Sequence, residues 1–178
     1  MLFPVCNEFR WFKFYAFDFS PRAIALMGER AKRLGFSVEV ILCDLTAFET
    51  IKPLHWPEAD ITTLVFVLSS ISPNNHERAV QNLKKFVRLG GTVIVRDYGF
   101  NDHAMLRFGR GSKLGDRFYA RQDGTRAFYF DKEELDNLFV NAGFRIEKSE
   151  CLFRKTINHQ KRLSVDRIFV QGVYVRIS

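Results

Sequence analysis

The sequence has few of the residues that typify disulfide-bonded or metal-dependent proteins. Its three cysteines are far apart and form no CxxC pair, which argues against a disulfide framework and against a zinc ribbon. We expect them to be small buried hydrophobic residues. The four histidines have neither HExxH nor any other ligand spacing, so no metal site is predicted. The cysteines are Cys6, Cys43 and Cys151, and the histidines are His55, His76, His103 and His159.

Long hydrophobic runs are also absent. The aromatic opening, MLFPVCNEFRWFKF, is interrupted by Asn7, Glu8 and Arg10 before it reaches the length of a signal peptide or a membrane span. A cytosolic or nuclear protein without a membrane partner is therefore expected. With 178 residues, of which 47% are hydrophobic and 26% charged, we predict one globular domain over residues 1–178. The sequence has no internal repeat and no low-complexity linker.

Common catalytic motifs are missing as well. Ser69 and Ser70 lie in no GxSxG motif, which argues against an acyl-transfer nucleophile. The glycine-rich run from Gly109 to Gly115 has neither Walker spacing nor GxGxxG, and it does not lead directly from a strand into a helix. A phosphate-binding loop is therefore not predicted there.

Acidic residues are fewer than basic ones. The formal net charge is +7, and the excess is uneven. Residues 1–95 contain 11 basic and 9 acidic groups, whereas residues 96–178 contain 16 and 11. This balance favours an anionic partner, and the second half of the chain is where it should bind.

The most informative part of that half is residues 96–126, which we call the basic segment. Between His103 and Arg126 it contains six lysines and arginines but only two acids, with aromatic residues set among them. Such a mixture suits a polyanion whose bases can stack on protein rings. The alternative is a solvated loop that is kept soluble by its charges. The basic residues are Arg107, Arg110, Lys113, Arg117, Arg121 and Arg126, and the aromatic ones are Phe108, Phe118 and Tyr119.

Before the basic segment, strand patterns alternate with helix patterns, as in an α/β protein with a mostly parallel sheet. After it, the pattern predicts one helix and then an antiparallel pair of strands joined by a turn at Ile157–Arg162. The predicted strands are 14–19, 36–42, 60–68, 92–95, 144–156 and 163–176. The predicted helices run from Ser20 to Gly35, from Ser72 to the Gly90 and Gly91 pair, and from Asp131 to Ala142.

Acidic residues follow two of these strands. In open α/β sheets, ligands bind outside the carboxyl ends of the strands. Asp18 is the candidate to accept both ribose hydroxyls of an adenosine cofactor, and Asp44 to accept the adenine amino group. Leu45 would then back the adenine ring, and Val65 would pack on its other face. The alternative is that each acid is only a helix cap or a loop residue.

Six runs of this sequence closely resemble the tRNA 3-methylcytidine methyltransferases of the methyltransferase-like family, and the resemblance extends over essentially the whole chain. The last three runs are the most specific, because strand-end acids occur in most S-adenosylmethionine enzymes. The runs are 18–23 (DFSPRA), 43–46 (CDLT), 66–71 (FVLSSI), 96–99 (RDYG), 102–108 (DHAMLRF) and 119–126 (YARQDGTR).

The resemblance implies a Rossmann-like class I fold and S-adenosylmethionine as cofactor. The implied reaction methylates N3 of a cytidine in the anticodon stem-loop of tRNA, with the possible help of an aminoacyl-tRNA synthetase. It also implies a first strand and a glycine-rich GxGxGN loop before Leu2, which this sequence does not contain. We therefore expect a chain that is truncated at its N-terminus.

Within this resemblance, Asp97 is the candidate catalytic residue. It would hydrogen-bond the exocyclic amine of the base or face the positive charge that develops there, unless it only fixes the turn from Arg96 to Gly99. Two other functions stay open, an inactive RNA-binding fragment and a methyltransferase for small molecules. The predicted tRNA contacts are Arg107, Lys113, Arg117, Arg121 and Arg126 for phosphates, and Phe108 or Tyr119 for an unpaired base.

Overall fold

The structure is a computed structural model that describes residues 2–47, 58–158 and 163–178. The chain forms two compact units, Met1–Leu54 and His55–Ser178. The assignment of residues 1–178 to one domain stays a prediction. His55, His159 and most of the predicted turn from Ile157 to Arg162 lie outside the described residues.

The first unit is one parallel crossover with a short preceding helix. Its elements are α1 (Leu2–Glu8), β1 (Phe14–Asp18), α2 (Pro21–Leu34) and β2 (Val38–Leu42). Strands β1 and β2 pair in parallel, with Asp18 beside Leu42 at the last rung. The caps of α2 confirm the sequence pattern: the Ser20 hydroxyl accepts the N–H of Ala23 at 3.3 Å, and Gly35 ends the helix at φ 69°.

The second unit contains the remaining strands and helices. Its strands are β3 (Ala59–Val65), β4 (Val87–Tyr98), β5 (Lys113–Gly115), β6 (Phe118–Ala120), β7 (Arg126–Phe128), β8 (Phe144–Asn158) and β9 (Leu163–Arg176). Its helices are α3 (His76–Lys84), α4 (His103–Leu106) and α5 (Lys132–Asn141), and 3-10 turns lie at Leu68–Ser70, Pro73–Asn75 and Arg110–Ser112. In the part of the chain that the structure describes, no helix is long and apolar enough to cross a membrane.

The main sheet of this unit has the strand order β3-β4-β9-β8. Strands β3 and β4 are parallel, whereas β4 with β9 and β9 with β8 are antiparallel. The predicted α/β class and the C-terminal antiparallel pair are thereby confirmed. The parallel strands belong to two sheets, because β1 and β2 form a sheet of their own in the first unit.

One face of this sheet is buried under two helices. Residues in β4 alternate between buried and half-buried from Gly91 to Tyr98, as a strand covered on one side requires. On the covered face, Tyr174 stacks on Phe139 of α5 at 4.1 Å between ring centroids and donates its hydroxyl to Asp136 at 2.8 Å. The fully buried residues of this core include Val80, Leu83, Val87, Val93, Val95, Leu135, Phe139 and Tyr174.

The boundary between α3 and β4 differs from the prediction. The helix ends at Lys84, and β4 begins at Val87, before the glycine pair that was expected to end the helix. Val87 is fully buried and pairs with Ala59. The pairing then shifts, so that Ile61 lies beside Thr92 and the glycines fall in a bulge. Val80, Leu83 and Val87 are spaced as on a helix, but Val87 belongs to β4 because it pairs with Ala59.

The basic segment forms structure of its own. After β4 it continues through the short helix α4 into the antiparallel sheet β5-β6-β7. Tyr129 and Phe130 follow β7 and are fully buried. The N–H of Phe130 donates to the carbonyl of Tyr98 at 2.9 Å, so that this small sheet is fastened to the end of β4.

Candidate active site

In the first unit, the two predicted acids stand at adjacent strand ends. Asp18 is the last residue of β1, and its carbonyl accepts the N–H of Cys43, the residue before Asp44, at 2.9 Å. Each side chain also holds its local turn. The Asp18 carboxylate accepts the N–H of Ser20 at 2.8 Å, and the Asp44 carboxylate accepts the N–H and the hydroxyl of Thr46, both at 2.8 Å.

These turns leave acceptor capacity for a ligand. In each carboxylate only Oδ1 has a hydrogen bond among the described residues, so Oδ2 can accept a hydroxyl or an amine. These acceptor oxygens therefore fit the ribose hydroxyls and the amino group of adenosine. Leu45 is only 5% exposed and presents little surface to an adenine ring. Val65, the last residue of β3 in the second unit, is half-buried. The roles of all four residues stay predictions.

In the second unit, Asp97 is fully buried near the end of β4. Its Oδ2 accepts the N–H of Ser69 at 3.0 Å, and its Oδ1 accepts the N–H of Tyr98 at 2.9 Å. The side chain thus links β4 to the 3-10 turn at Leu68–Ser70. Burial raises the pKa of Asp97 to about 6, although these hydrogen bonds and the charge of Arg121 act in the opposite direction.

This geometry favours the structural alternative for Asp97. Both carboxylate oxygens already accept backbone N–H groups, and the side chain has no exposed surface. A direct hydrogen bond from a substrate amine would require the turn to move. The negative charge of the side chain can still act through space on positive charge nearby.

Arg117 requires a correction. Its guanidinium binds both carboxylate oxygens of Glu134, at 2.7 and 3.4 Å, and also reaches Asp116 at 3.2 Å. It also lies 5.1 Å from the centroid of the Phe128 ring. These contacts join the small sheet to α5, so this cation is neutralised within the fold instead of being free for a phosphate.

Arg121 is also turned inwards. It is half-buried, and its guanidinium lies 4.8 Å from the centroid of the Tyr98 ring, close enough to Asp97 for its charge to lower the pKa of that group. Arg107, Lys113 and Arg126 are exposed instead. Within residues 58–158 and 163–178, none of these three has a carboxylate within ion-pair distance. Their exposure makes them accessible to a polyanion, although the guanidinium of Arg126 also lies 6.0 Å from the centroid of the Phe118 ring.

The two residues predicted to stack a base stack on each other. The rings of Phe108 and Tyr119 are nearly parallel, at 9°, with centroids 4.7 Å apart. Tyr129 approaches both rings edge-on, at 6.3 and 5.9 Å. One face of each predicted ring is therefore covered, and only the outer face of the pair is left for an RNA base.

A buried ion pair that the sequence does not predict lies beside this cluster. Asp102 is fully buried, and its Oδ2 accepts the Nε–H of Arg167 and the N–H of Ile168, both at 2.8 Å. Its Oδ1 accepts the N–H of Ala104 at 2.8 Å and so caps α4. No helix was predicted at His103, and the partner of Asp102 lies 65 residues further on, where no local pattern indicates it.

Tyr129 was missed as well. Its hydroxyl is buried and has no hydrogen-bond partner among the residues that the structure describes, and burial raises its pKa to about 12. No group of His, Cys, Asp or Glu side chains within residues 2–47, 58–158 and 163–178 could hold a metal ion. Arginines and aromatic rings lie together at this end of the sheet, and that combination suits a nucleobase ligand.

Acidic residues at strand ends of an α/β sheet are typical of proteins that bind nucleoside cofactors, and comparison with known proteins identifies the family. The model of the methyltransferase domain family matches residues 3–95, more than half of the chain. The chain therefore belongs to the methyltransferase domain family.

Similar proteins of known sequence are tRNA N(3)-cytidine methyltransferases. METTL6 of Rattus norvegicus is 42% identical over 97% of this chain, and METTL6 of Homo sapiens is 39% identical over 98%. METTL2B of Homo sapiens is 37% identical over 91%. These matches cover 60%, 62% and 43% of the relatives' own lengths, so the chain spans about three fifths of METTL6.

Solved structures confirm the fold. A SAM-dependent methyltransferase from Methanosarcina mazei matches with a TM-score of 0.68 at 16% identity, over 92% of this chain and 81% of that one. The 1,6-didemethyltoxoflavin-N1-methyltransferase of Burkholderia thailandensis, solved with S-adenosylhomocysteine, matches with a TM-score of 0.56 at 16% identity, over 92% and 61%. The fold is therefore the Rossmann-like methyltransferase fold.

Proposed function

We propose that this chain is the catalytic domain of an S-adenosylmethionine-dependent methyltransferase that forms 3-methylcytidine in the anticodon stem-loop of tRNA. The observation that carries the proposal is the 42% identity to a tRNA N(3)-cytidine methyltransferase over 97% of the chain. That span includes the strand-end acids of the first unit as well as the basic segment of the second.

In this proposal Asp18 and Asp44 bind the adenosine part of the cofactor. Each has a carboxylate oxygen without a hydrogen bond among the described residues, which suits the ribose hydroxyls and the adenine amine. When bound, the cofactor supplies a methyl group on a positively charged sulfur.

The chemistry at the base needs positioning more than proton transfer. Neutral cytosine already has a lone pair on N3, so no strong base is required. The rate depends on how well N3 is aligned with the methyl group of the cofactor and on the free energy needed to move positive charge onto the ring. We assign that electrostatic part to Asp97, because its carboxylate is buried where charge interactions are strong. Its two backbone hydrogen bonds keep it in place.

Binding of tRNA phosphates falls to the exposed cations Arg107, Lys113 and Arg126. Arg117 is omitted because Glu134 neutralises it. Arg121 keeps a place near the base, since it is half-buried against Tyr98. The outer face of the Phe108 and Tyr119 pair offers a surface for an unpaired base. An aminoacyl-tRNA synthetase as partner and a cytoplasmic or nuclear location are further parts of this proposal.

Two measurements on the 178-residue chain test the proposal. Calorimetry with S-adenosylmethionine measures cofactor binding. Incubation of cofactor and tRNA with the chain, followed by digestion and mass spectrometry, shows whether 3-methylcytidine forms. We expect both to be positive, and Asp97→Ala to lower the rate at least tenfold with cofactor affinity retained. Normal turnover of that variant would remove the catalytic role of Asp97.

The same measurements separate the alternatives. An RNA-binding fragment would bind tRNA but show no heat with the cofactor. A methyltransferase for small molecules would bind the cofactor but would neither bind nor modify tRNA. Either result would replace the proposed function.

A further inference from the structure

Phe66 has an unusual backbone conformation. It directly follows β3, and its φ is 58°, in the left-handed region that bulky side chains rarely adopt. Its N–H donates to the carbonyl of Arg96 at 2.9 Å, one step past the last parallel rung between Val65 and Arg96. The sheet thus holds the residue in a conformation that its own side chain disfavours, and such outliers concentrate at functional sites.

The conformation places the Phe66 ring in an aromatic cluster at the carboxyl ends of β3 and β4. The ring stacks on Tyr98 with centroids 4.7 Å apart and planes 24° apart, and it meets Phe169 edge-on at 5.8 Å. It is nevertheless 39% exposed, so part of the ring faces outwards. Ligands of open α/β sheets bind at this edge.

Three arginines surround the cluster. The guanidinium of Arg96 lies 5.0 Å from the centroid of Phe169, that of Arg167 lies 5.3 Å from the same ring, and that of Arg121 lies 4.8 Å from the centroid of Tyr98. The nearby acids are already engaged: Asp102 binds Arg167, and Asp97 accepts two backbone N–H groups. A partly open ring among cations is complementary to a flat ligand that carries negative charge, such as a nucleotide.

We propose that Phe66 is a nucleobase-stacking residue, whose exposed ring receives an unpaired base of the RNA substrate while Arg96 and Arg121 attract the adjoining phosphate; Arg167 is already paired with Asp102. The inference rests on the proposed function, because it assigns the base contact of the same site. It differs from the sequence expectation, which gave stacking to Phe108 or Tyr119. One face of the Phe66 ring is likewise covered, by Tyr98, but Phe66 is 39% exposed whereas Phe108 and Tyr119 are half-buried, and it directly follows β3.

A fluorescent RNA tests this inference apart from catalysis. The probe is an RNA hairpin whose loop carries 2-aminopurine, a base whose emission is quenched when it stacks on an aromatic ring. We expect the 178-residue chain to quench this emission. Phe66→Leu should lose most of the quenching and bind the hairpin about tenfold more weakly, as the loss of one stacked base predicts. Phe66→Tyr should restore both.

Two further variants test whether the loss of quenching is specific to the ring of Phe66. Phe66→Asn removes the ring but tolerates a positive φ, so it keeps the fold even where leucine does not, and it should show the same loss. Phe153→Leu makes the same change at a phenylalanine that is 72% exposed on β8, and quenching there should stay as in the parent chain. Thermal unfolding of each variant identifies any loss of the folded state.

The outcomes distinguish this inference from the proposed function. Unchanged quenching and affinity in Phe66→Asn and Phe66→Leu would overturn the stacking role alone. Loss of S-adenosylmethionine affinity with RNA binding intact would reassign Phe66 to the cofactor and also overturn it. A parent chain that binds the cofactor but no RNA would remove both the inference and the tRNA substrate.

Discussion

The buried carboxylate of Asp102 accepts the Nε–H of Arg167 at 2.8 Å and thereby joins the beginning of α4 to β9. The same carboxylate accepts the N–H groups of Ala104 and Ile168, each at 2.8 Å. One side chain therefore fixes the basic segment to the main sheet. Because the guanidinium of Arg167 also lies over the rings of Phe169 and Tyr98, this pair supports the aromatic cluster as well.

We expect Asp102→Ala to lower the free energy of unfolding by about 3–5 kcal/mol, because it leaves a mostly buried guanidinium and two N–H groups without their acceptor. Urea unfolding measures this. The matched control is Asp60→Ala, which breaks the exposed pair with Arg88 and should cost less than about 1 kcal/mol. Equal losses of unfolding free energy in the two variants would show that Asp102 stabilises the fold no more than an exposed ion pair does.

The stability of the protein should depend on pH through Asp97. Burial raises the pKa of this carboxyl from 3.8 to about 6, so between these values the folded state holds a proton that the unfolded state has lost. The stabilisation of the folded state by this proton is therefore fully present below about pH 4 and is lost as the pH rises through 6. By linkage, the free energy of unfolding should fall by about 3 kcal/mol over this range.

The check is the difference in unfolding free energy between the parent chain and Asp97→Asn, measured from pH 4 to 7. Asparagine does not titrate, so its own effect on the buried hydrogen bonds is constant with pH. The parent chain should lose stability relative to the variant as the pH rises. A difference that is independent of pH would contradict the raised pKa.

Two arginines of the basic segment should behave differently. Arg117→Ala breaks the pair with Glu134 and should cost about 1 kcal/mol of stability, but it should leave the affinity for RNA and its dependence on salt unchanged. Arg126→Ala changes an exposed cation and should leave stability unchanged. It should weaken RNA binding and lower the slope of log K against log salt by about 1.

Filter binding of tRNA at several salt concentrations measures both slopes, and thermal unfolding follows stability. Arg121→Ala, made for the same assay, should also weaken RNA binding, but with a loss of stability, because Arg121 is half-buried against Tyr98. A reduced salt slope in Arg117→Ala would restore that residue as a phosphate contact.

Substitutions of Asp18 and Ser20 should distinguish a role in cofactor binding from a role in helix capping. Ser20→Ala removes the hydroxyl that accepts the Ala23 N–H and should cost about 1 kcal/mol of stability with cofactor affinity unchanged. Asp18→Ala should lower the affinity for S-adenosylmethionine at least tenfold, since the ribose loses its acceptor. Calorimetry provides the affinities. If Asp18→Ala binds the cofactor as well as Ser20→Ala does, Asp18 is only a turn residue.

Much of the fold could be predicted because its signals are local. The cap at Ser20, the left-handed Gly35 and the cap at Asp131 depend on hydrogen bonds within a few residues, and they bound two helices that occur where the sequence predicts them. The extent of β4 could not be predicted in this way. It begins at Val87 because Ala59, 28 positions earlier, provides its first pairing partner. Helical spacing contains no information about such a partner.

In the candidate site, too, some features follow from local sequence signals and others depend on residues that are distant in the sequence. The strand-end positions of Asp18, Asp44 and Asp97 follow from the order of strands and helices, and the structure places them there. What could not be predicted is the environment of each side chain. Asp97 and Asp102 are fully buried, which neither the order of strands and helices nor the family resemblance indicates.

For the basic segment, the sequence by itself determined its composition, its excess of cations and its position after β4. Only the tertiary structure decided which cations are free. Glu134 neutralises Arg117 and Tyr98 covers Arg121, whereas Arg107, Lys113 and Arg126 stay exposed. The physical reason is that the availability of a charge depends on partners brought close by folding, and these lie on other strands and helices, at distances in sequence that no local pattern encodes.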